Sequence, residues 1–152
     1  MNKKYIYAGI GILVLALLIF TIPRYFTGNV IASENAISSD VEKIEIYHFH
    51  ATNQCYSCIT VGDLAEETIN TYFSDELKSG KIIFDHINGE LPENYNLVKK
   101  FEATGSSLWI GVTYKDGTFT KEENVNVWYK INNKEDYMNY FKNIIENKLK
   151  GE

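Results

Sequence analysis

The spacing of hydrophobic positions changes several times along the chain, and each spacing predicts a different element. Residues 41–49 alternate apolar and polar side chains, which is typical of a β-strand. From residues 55 to 77, apolar side chains recur every three or four positions, which predicts an amphipathic helix. Two further short apolar runs, at 81–87 and 108–114, are typical of buried strands.

The second half of the chain completes the predicted order of elements. The remaining elements are a helix at 92–103, a turn at 115–118, a fourth strand in pieces around Phe119 and at 125–129, and a last helix from Asn132 or Asn133 to Gly151. The order β-α-β-α-β-β-α begins with a unit whose strands must be parallel, and the later hairpin adds antiparallel strands. We therefore predict an α/β fold with a mixed four-stranded sheet and helices on both of its faces.

The N-terminal segment has a different character from the rest of the chain. Residues 5–22 carry no charge, and as a helix they would span ~27 Å, enough for the hydrocarbon core of a membrane. Lys3 and Lys4 precede this run and Arg24 follows it, so the positive-inside rule places the N-terminus in the cytoplasm. We predict an uncleaved signal anchor, with a cleaved signal peptide as the alternative.

These assignments divide the chain into three parts. They are a transmembrane signal anchor at 1–24, a linker at 25–40 and one domain at 41–150. The predicted location is the cell membrane, with a single span and the C-terminal domain extracytoplasmic.

Charge sharpens this division. The whole chain of 152 residues has a net charge of −5, but residues 1–32 hold three basic residues and no acid. Residues 33–152 hold 12 Lys against 20 Asp and Glu, a net charge of −8. An acidic domain of this kind argues against nucleic acid as a partner, because phosphate binding needs a basic surface.

The two cysteines are too few for a disulfide scaffold, but their spacing is informative. Cys55 and Cys58 lie three positions apart at the start of the first predicted helix. Unpaired backbone N–H groups and the positive helix end favour the thiolate of Cys55, which should lower its pKa below the usual value of ~8.5. Cys58 lies one turn inside the helix and is more buried. We predict a redox-active pair in which Cys55 attacks and Cys58 resolves the mixed disulfide.

Two histidines lie just before the cysteine pair. His48 and His50 share one face of the first strand, and together with Cys55 and Cys58 they form an alternative ligand set for zinc or copper. The preferred interpretation has no metal: one histidine packs in the sheet, and His50 lies at the active site. His50 would then stabilise the thiolate or move its proton.

Other polar and aromatic residues are assigned more briefly. Tyr56 projects between the cysteines, where a substrate must approach, and is a candidate substrate contact. His86 is interpreted as a core or rim histidine without a role in catalysis. The acidic helix positions, Asp63, Glu66 and Glu67, are interpreted as a solvated face.

A strand, a short loop and Cys-x-x-Cys at a helix start, followed by β-α-β-β-α, resemble the thioredoxin fold over about residues 41–150. More narrowly, the segment 47–58 and the run Gly105-Ser106-Ser107-Leu108 are similar to a bacterial and archaeal thioredoxin-like group labelled ArsF-like or nitrophenyl-compound nitroreductase subunit. No flavin-binding signature is visible, so nitroreduction is not predicted. Thioredoxins place a substrate-docking cis-proline before the third strand. This chain has Ser106 and Ser107 there, and the resemblance implies that they contact substrate.

The sequence therefore predicts a membrane-anchored oxidoreductase that exchanges thiols and disulfides without a bound cofactor. Its expected partners are the membrane, protein or small-molecule thiols and disulfides, and a membrane redox partner. Two alternatives stay open: a zinc- or copper-binding module built on the cysteines and histidines, and a non-catalytic subunit of a membrane complex.

Overall fold

Four strands form one mixed sheet in the part of the chain that a computed structural model describes, residues 40–152. They are β1 (Val41–His50), β2 (Ile82–Asn88), β3 (Ser107–Tyr114) and β4 (Phe119–Glu123), in the spatial order β2-β1-β3-β4. β1 and β2 are parallel, whereas β1 pairs with β3 and β3 with β4 in antiparallel fashion. The predicted α/β fold with a mixed four-stranded sheet is confirmed.

The helices flank this sheet. They are α1 (Tyr56–Tyr72), α2 (Ser74–Ser79), α3 (Tyr95–Phe101) and α4 (Lys134–Lys150), with 3-10 turns at Pro92–Asn94 and Val125–Tyr129. The single helix predicted for 55–77 is interrupted at Phe73, whose backbone leaves the helical region at φ −130° and ψ 30°. The Phe73 side chain is in the core and 3% exposed, and its position four residues after the buried Ile69 would place it on the same face of a continuous helix.

The segment 125–129 was predicted as part of the fourth strand and instead forms a 3-10 turn. The Asn124 N–H donates to the Leu108 carbonyl, close to the first residue of β3, so the chain has no further strand to pair with. Val127 is buried between two exposed residues, Val125 and Tyr129. Val125, Val127 and Tyr129 therefore give the alternating sequence pattern of a strand, although the segment is not a strand.

The side chains of β1 alternate between two hydrophobic clusters on opposite faces of the sheet. Ile44 and Ile46 belong to the larger cluster, which contains the buried residues of α1 and α4. Tyr47 and Phe49 point to the other face, where they pack with Phe101 of α3. Helices therefore cover both faces, and β1 lies at the centre of the domain.

A hydrogen bond fastens α4 to α1 on the larger face. The Tyr137 hydroxyl donates to the Val61 carbonyl at 2.7 Å, and both residues are fully buried. Burial raises the pKa of Tyr137 above its usual value, so this phenol keeps its proton and remains a donor. The contact fixes the first half of α1, the segment that follows the cysteines.

Glu45 is a buried acid on β1, but its partners are structural. Burial alone would raise the pKa of its carboxyl. The Lys100 and Lys43 ammonium groups outweigh burial, so the pKa is lower than usual. The Lys100 Nζ lies 2.7 Å and the Lys43 Nζ 3.5 Å from the carboxylate. Four residues of β1 lie between Glu45 and His50, and the two side chains point to opposite faces of the sheet.

The predicted membrane anchor and linker, up to residue 39, lie outside the described residues. Within residues 40–152, none of the helices combines the length and the apolar composition needed to cross a bilayer.

Candidate functional site

Cys55 and Cys58 are joined by a disulfide at the N-terminus of α1. Cys55 is the N-cap residue, with extended backbone at φ −80° and ψ 163°, and its Sγ accepts a hydrogen bond from the Cys58 N–H at 3.1 Å. Cys55 is exposed, whereas Cys58 is only partly so. The predicted position of the pair at a helix start is confirmed, and Cys55 is the more exposed of the two residues.

The surroundings of Cys55 favour a negative charge on sulfur when the disulfide is open. The first turn of α1 contains no acidic residue, so no neighbouring carboxylate in that turn opposes the positive helix end. The Cys58 N–H that already points at Sγ would donate a charge-assisted hydrogen bond to a thiolate. Both features act on Cys55.

Two exposed apolar side chains lie next to the disulfide. Tyr56, between the two cysteines, is 82% exposed, and Ile59 in the next turn is 43% exposed. Exposure of apolar side chains to water is unfavourable, and the free energy falls when a partner covers them. The exposure of Tyr56 is what its predicted role as a substrate contact requires.

His50 is the last residue of β1 and is partly exposed. Its Nδ1 lies 2.9 Å from the Ala51 carbonyl oxygen, and because a carbonyl only accepts, Nδ1 carries a proton. In the neutral ring, Nε2 is then free to accept. No hydrogen bond joins His50 to either cysteine in this disulfide form of the described domain, so its catalytic role stays a prediction.

A cavity of about 190 Å³ opens beside His50. Its walls come from the ends of β1 and β2, from α3 and from the loop before β3: Phe49, His50, Ala51, Gly89, Glu90, Val98, Ala103 and Gly105. The cavity is large enough for a side chain of a substrate, and its rim is the loop that leads to Ser106.

Ser106, the last residue of that loop, and Ser107, the first residue of β3, are less accessible than the resemblance implied. The Ser107 hydroxyl accepts from the Trp109 indole N–H at 3.0 Å, and Ser107 is 1% exposed. The Ser106 hydroxyl is also buried and has no partner among the described residues. Neither hydroxyl faces solvent in this form, and the substrate contact at Ser106 and Ser107 stays a prediction.

A second polar group lies beneath α1 and was not predicted as a unit. His48 is 1% exposed, and its Nδ1 lies 3.0 Å from the Nδ1 of His86 on the neighbouring strand. The Nε2 of His86 in turn lies 3.3 Å from a carboxylate oxygen of Glu66 on α1. We call these three residues the histidine chain. It connects the interior beneath α1 with the surface.

Gly62 makes room for the histidine chain. A Cβ at this position would meet the His48 ring and would lie 2.7 Å from Cε1 of His86, which no real side chain tolerates. Gly62 is one turn after Cys58 in α1, so the histidine rings pack directly against the helix that carries the disulfide.

The environment of His48 disfavours its protonated form. Burial lowers the pKa of His48 to about 4, with further lowering by the neighbouring His86 and His50 and a smaller opposing effect from the Cys58 carbonyl. His48 is therefore neutral at neutral pH. The Cys58 carbonyl is near the ring, but no described group makes a well-aligned hydrogen bond to Nε2.

We predict that the domain loses stability as the pH falls from 6.5 to 4 because of His48. Between these pH values His48 is protonated in the unfolded chain but not in the native state. Lowering the pH therefore reduces the free energy of unfolding by up to about 3 kcal/mol. Denaturant unfolding of the wild type and of His48→Gln across this range measures the effect. The slope of stability against pH should flatten in the variant. Parallel curves would assign the acid sensitivity to other groups.

The alternative metal set is not assembled in this form of the protein. Both sulfurs are in the disulfide, and the Nδ1 of His48 is turned to His86. Within residues 40–152, no three side chains of His, Cys, Asp or Glu are grouped so that they could hold one metal ion. The zinc or copper site stays a prediction for the reduced protein and has no part in the function proposed below.

Comparison with known proteins adds no relative. No protein-family model matches the chain, and a search of curated proteins finds no significant similarity. The mixed four-stranded sheet with flanking helices and a Cys-x-x-Cys disulfide at a helix start is compatible with a thioredoxin-like fold.

Proposed function

We propose that this protein is a thioredoxin-like, membrane-anchored oxidoreductase that exchanges thiols and disulfides through Cys55 and Cys58. The observation that carries the proposal is the disulfide at the N-cap of α1, with Cys55 exposed and Cys58 partly buried. A disulfide between residues only three positions apart closes too small a loop to stabilise the fold appreciably. Reactivity is a better reason for its presence.

The chemistry needs no further cofactor. In the reducing direction, the Cys55 thiolate attacks one sulfur of a substrate disulfide, and the other substrate sulfur leaves as a thiolate. Cys58 then loses its proton and attacks the Cys55 Sγ, which releases the second substrate thiolate and closes the Cys55–Cys58 disulfide. Two electrons pass from the protein to the substrate. The same steps in reverse oxidise a dithiol.

The residues around the pair supply recognition and proton control. Tyr56 and Ile59 offer an apolar surface to a protein or small-molecule substrate, and the cavity beside His50 accepts a neighbouring group. His50, with Nε2 as a free acceptor, is proposed to tune the Cys55 thiolate. The loop at Ser106 and Ser107 is proposed to contact the substrate backbone.

The predicted anchor at residues 1–24 would hold the acidic domain against the outer face of the cell membrane. There, after each turnover, a membrane redox partner would return the cysteine pair to its starting state. The proposed partners are thus the membrane, thiol or disulfide substrates and that redox protein.

Exchange with a glutathione redox buffer tests the proposal on the full chain in detergent. We expect the dithiol and disulfide forms to interconvert and to accelerate disulfide exchange in insulin, a probe whose reduction is visible as turbidity. The Cys55→Ala/Cys58→Ala double variant is the matched control. Equal rates for the wild type and the double variant would contradict the proposed function.

A further inference from the structure

The cavity beside His50 is bounded mainly by apolar groups. Six of its eight lining residues, all except His50 and Glu90, have an apolar side chain or are glycine. Walls of this kind and a volume of about 190 Å³ suit a side chain with a hydrocarbon stem. The two polar residues then decide what the end of that side chain must be.

Both polar side chains of the cavity leave hydrogen-bond acceptors free and no donor. Glu90 is exposed at the mouth, and its carboxylate only accepts. The one ring N–H of neutral His50 is already donated to the Ala51 carbonyl. The backbone N–H groups of Gly89 and Glu90 are also used, by the His50 carbonyl and the Asn88 side chain. The cavity therefore favours a ligand that donates hydrogen bonds over an anion.

The Glu90 carboxylate is held by the loop between β1 and α1. The Thr52 N–H donates to its Oε2 at 3.0 Å, and the Asn88 side-chain amide donates to the Thr52 hydroxyl at 3.0 Å. Hydrogen bonds from the Thr52 side chain and backbone lower the pKa of Glu90, so the carboxylate is ionised at neutral pH. Within residues 40–152, Glu90 takes part in no ion pair. A negative charge is thus fixed at the mouth of the cavity without a cation of the domain to neutralise it.

The cavity is close enough to the cysteines to be used by the same substrate. Ala51 lines it, and the four peptide units from Ala51 to Cys55 span at most ~14 Å. An extended polypeptide with its cysteine at Cys55 can therefore place a residue about four positions away, or nearer, at the cavity. Residues 33–152 carry a net charge of −8, which attracts positively charged substrates.

We propose that this cavity binds a lysine or arginine side chain of a polypeptide substrate, close in sequence to the cysteine that Cys55 attacks. The proposal rests on the proposed function and adds to it the class of substrate. The hydrocarbon stem packs against the apolar walls, and the ammonium or guanidinium group donates charge-assisted hydrogen bonds to the Glu90 carboxylate. A small aminothiol offers the same cationic group, and the experiment below separates it from a polypeptide.

Peptides whose single cysteine is disulfide-bonded to thionitrobenzoate test the proposal. The Cys55 thiolate bonds to the peptide sulfur, and the coloured thionitrobenzoate leaves as a thiolate. The reduced full chain in non-ionic detergent is mixed with peptides that carry lysine, norleucine or glutamate two positions to either side of the cysteine. At low salt we expect lysine to react about fivefold faster than norleucine, which lacks the charge, and glutamate to react slowest. The ratio of lysine to norleucine should approach one in about 1 M salt, where the Debye length is ~3 Å.

Glu90→Gln isolates the role of the carboxylate. Glutamine keeps an oxygen that accepts from the Thr52 N–H, so the contact between the two loops is retained. The ratio of lysine to norleucine should fall to about twofold or less. Glu93→Gln is the matched control, because Glu93 is exposed in the same loop but does not line the cavity, and its ratio should equal that of the wild type. A ratio that is retained in Glu90→Gln, or falls equally in both variants, would overturn the site.

Mixed disulfides of thionitrobenzoate with cysteamine and with mercaptoethanol separate the two sources of a cation. A preference for lysine that depends on Glu90 among the peptides supports the polypeptide. If the preference depends on Glu90 only between cysteamine and mercaptoethanol, the site takes a small aminothiol and the proposal is overturned. If the wild type releases thionitrobenzoate from none of these probes, the proposed function fails instead.

Discussion

Replacing Cys58 with serine is expected to stop turnover and leave the substrate bound covalently to Cys55. Cys55 is exposed at the N-cap of α1, so it can still attack a disulfide, but a serine hydroxyl cannot displace the substrate from the mixed disulfide. Catalysed exchange should fall about a hundredfold or more, to the rate of the free thiol. Mass spectrometry of Cys58→Ser after incubation with oxidised glutathione should show one glutathione on Cys55.

The reciprocal variant provides the control for this asymmetry. In Cys55→Ser the remaining thiol, Cys58, is partly buried and lacks the N-cap position. It should form the glutathione adduct about tenfold more slowly, because thiolate character and access both decrease. Equal adduct formation by the two single variants would show that the two cysteines do not differ in role.

The position of the cysteine pair was predictable because it depends on local chemistry. A β-rich run, a short polar loop and a helical pattern that begins at Cys55 place the first sulfur at a helix start, whatever the rest of the fold does. The parallel pairing of β1 and β2 followed from the same segment, since a β-α-β unit allows no other arrangement in a single sheet. Local spacing thus determines the half of the site that contains sulfur.

The histidine chain was not predictable with the same means because it depends on strand register. His48 and His86 are 38 residues apart, and they are neighbours because β1 and β2 pair with these two residues opposite each other. A shift by one residue would turn one of the rings to the other face of the sheet. The available signal was Gly62, a glycine inside a helix, which indicates a close approach by another group.

The interruption at Phe73 and the turn at 125–129 are differences in backbone conformation and not in burial. In both segments the apolar spacing fits a longer element and Phe73 and Val127 are buried, but the helix is interrupted at Phe73 and residues 125–129 form a 3-10 turn. Periodicity reports which residues are buried, and the same burial can be achieved by more than one backbone conformation.

Truncation of Phe101 should be the most destabilising single change on the smaller face of the sheet. The ring is fully buried and contacts four other aromatic rings, with centroid distances of 5.2–6.3 Å to Tyr47, Phe49, Trp109 and Phe119. Removing a buried Phe side chain leaves a cavity and costs about 3–5 kcal/mol. The Gly111 backbone packs closely against this cluster: a Cβ added at Gly111 would lie 2.8 Å from the rings of Phe101 and Phe119.

Urea unfolding of Phe101→Ala measures this loss as a fall in the transition midpoint at unchanged slope. Tyr95→Ala is the matched control: it removes an aromatic side chain from the same helix, α3, but one that is 63% exposed, so it should change stability by about 0.5 kcal/mol or less. Phe101 also ends the helix that precedes the loop of Ser106, and that loop forms one wall of the cavity beside His50. A loss below about 1 kcal/mol would contradict a packed aromatic core on this face.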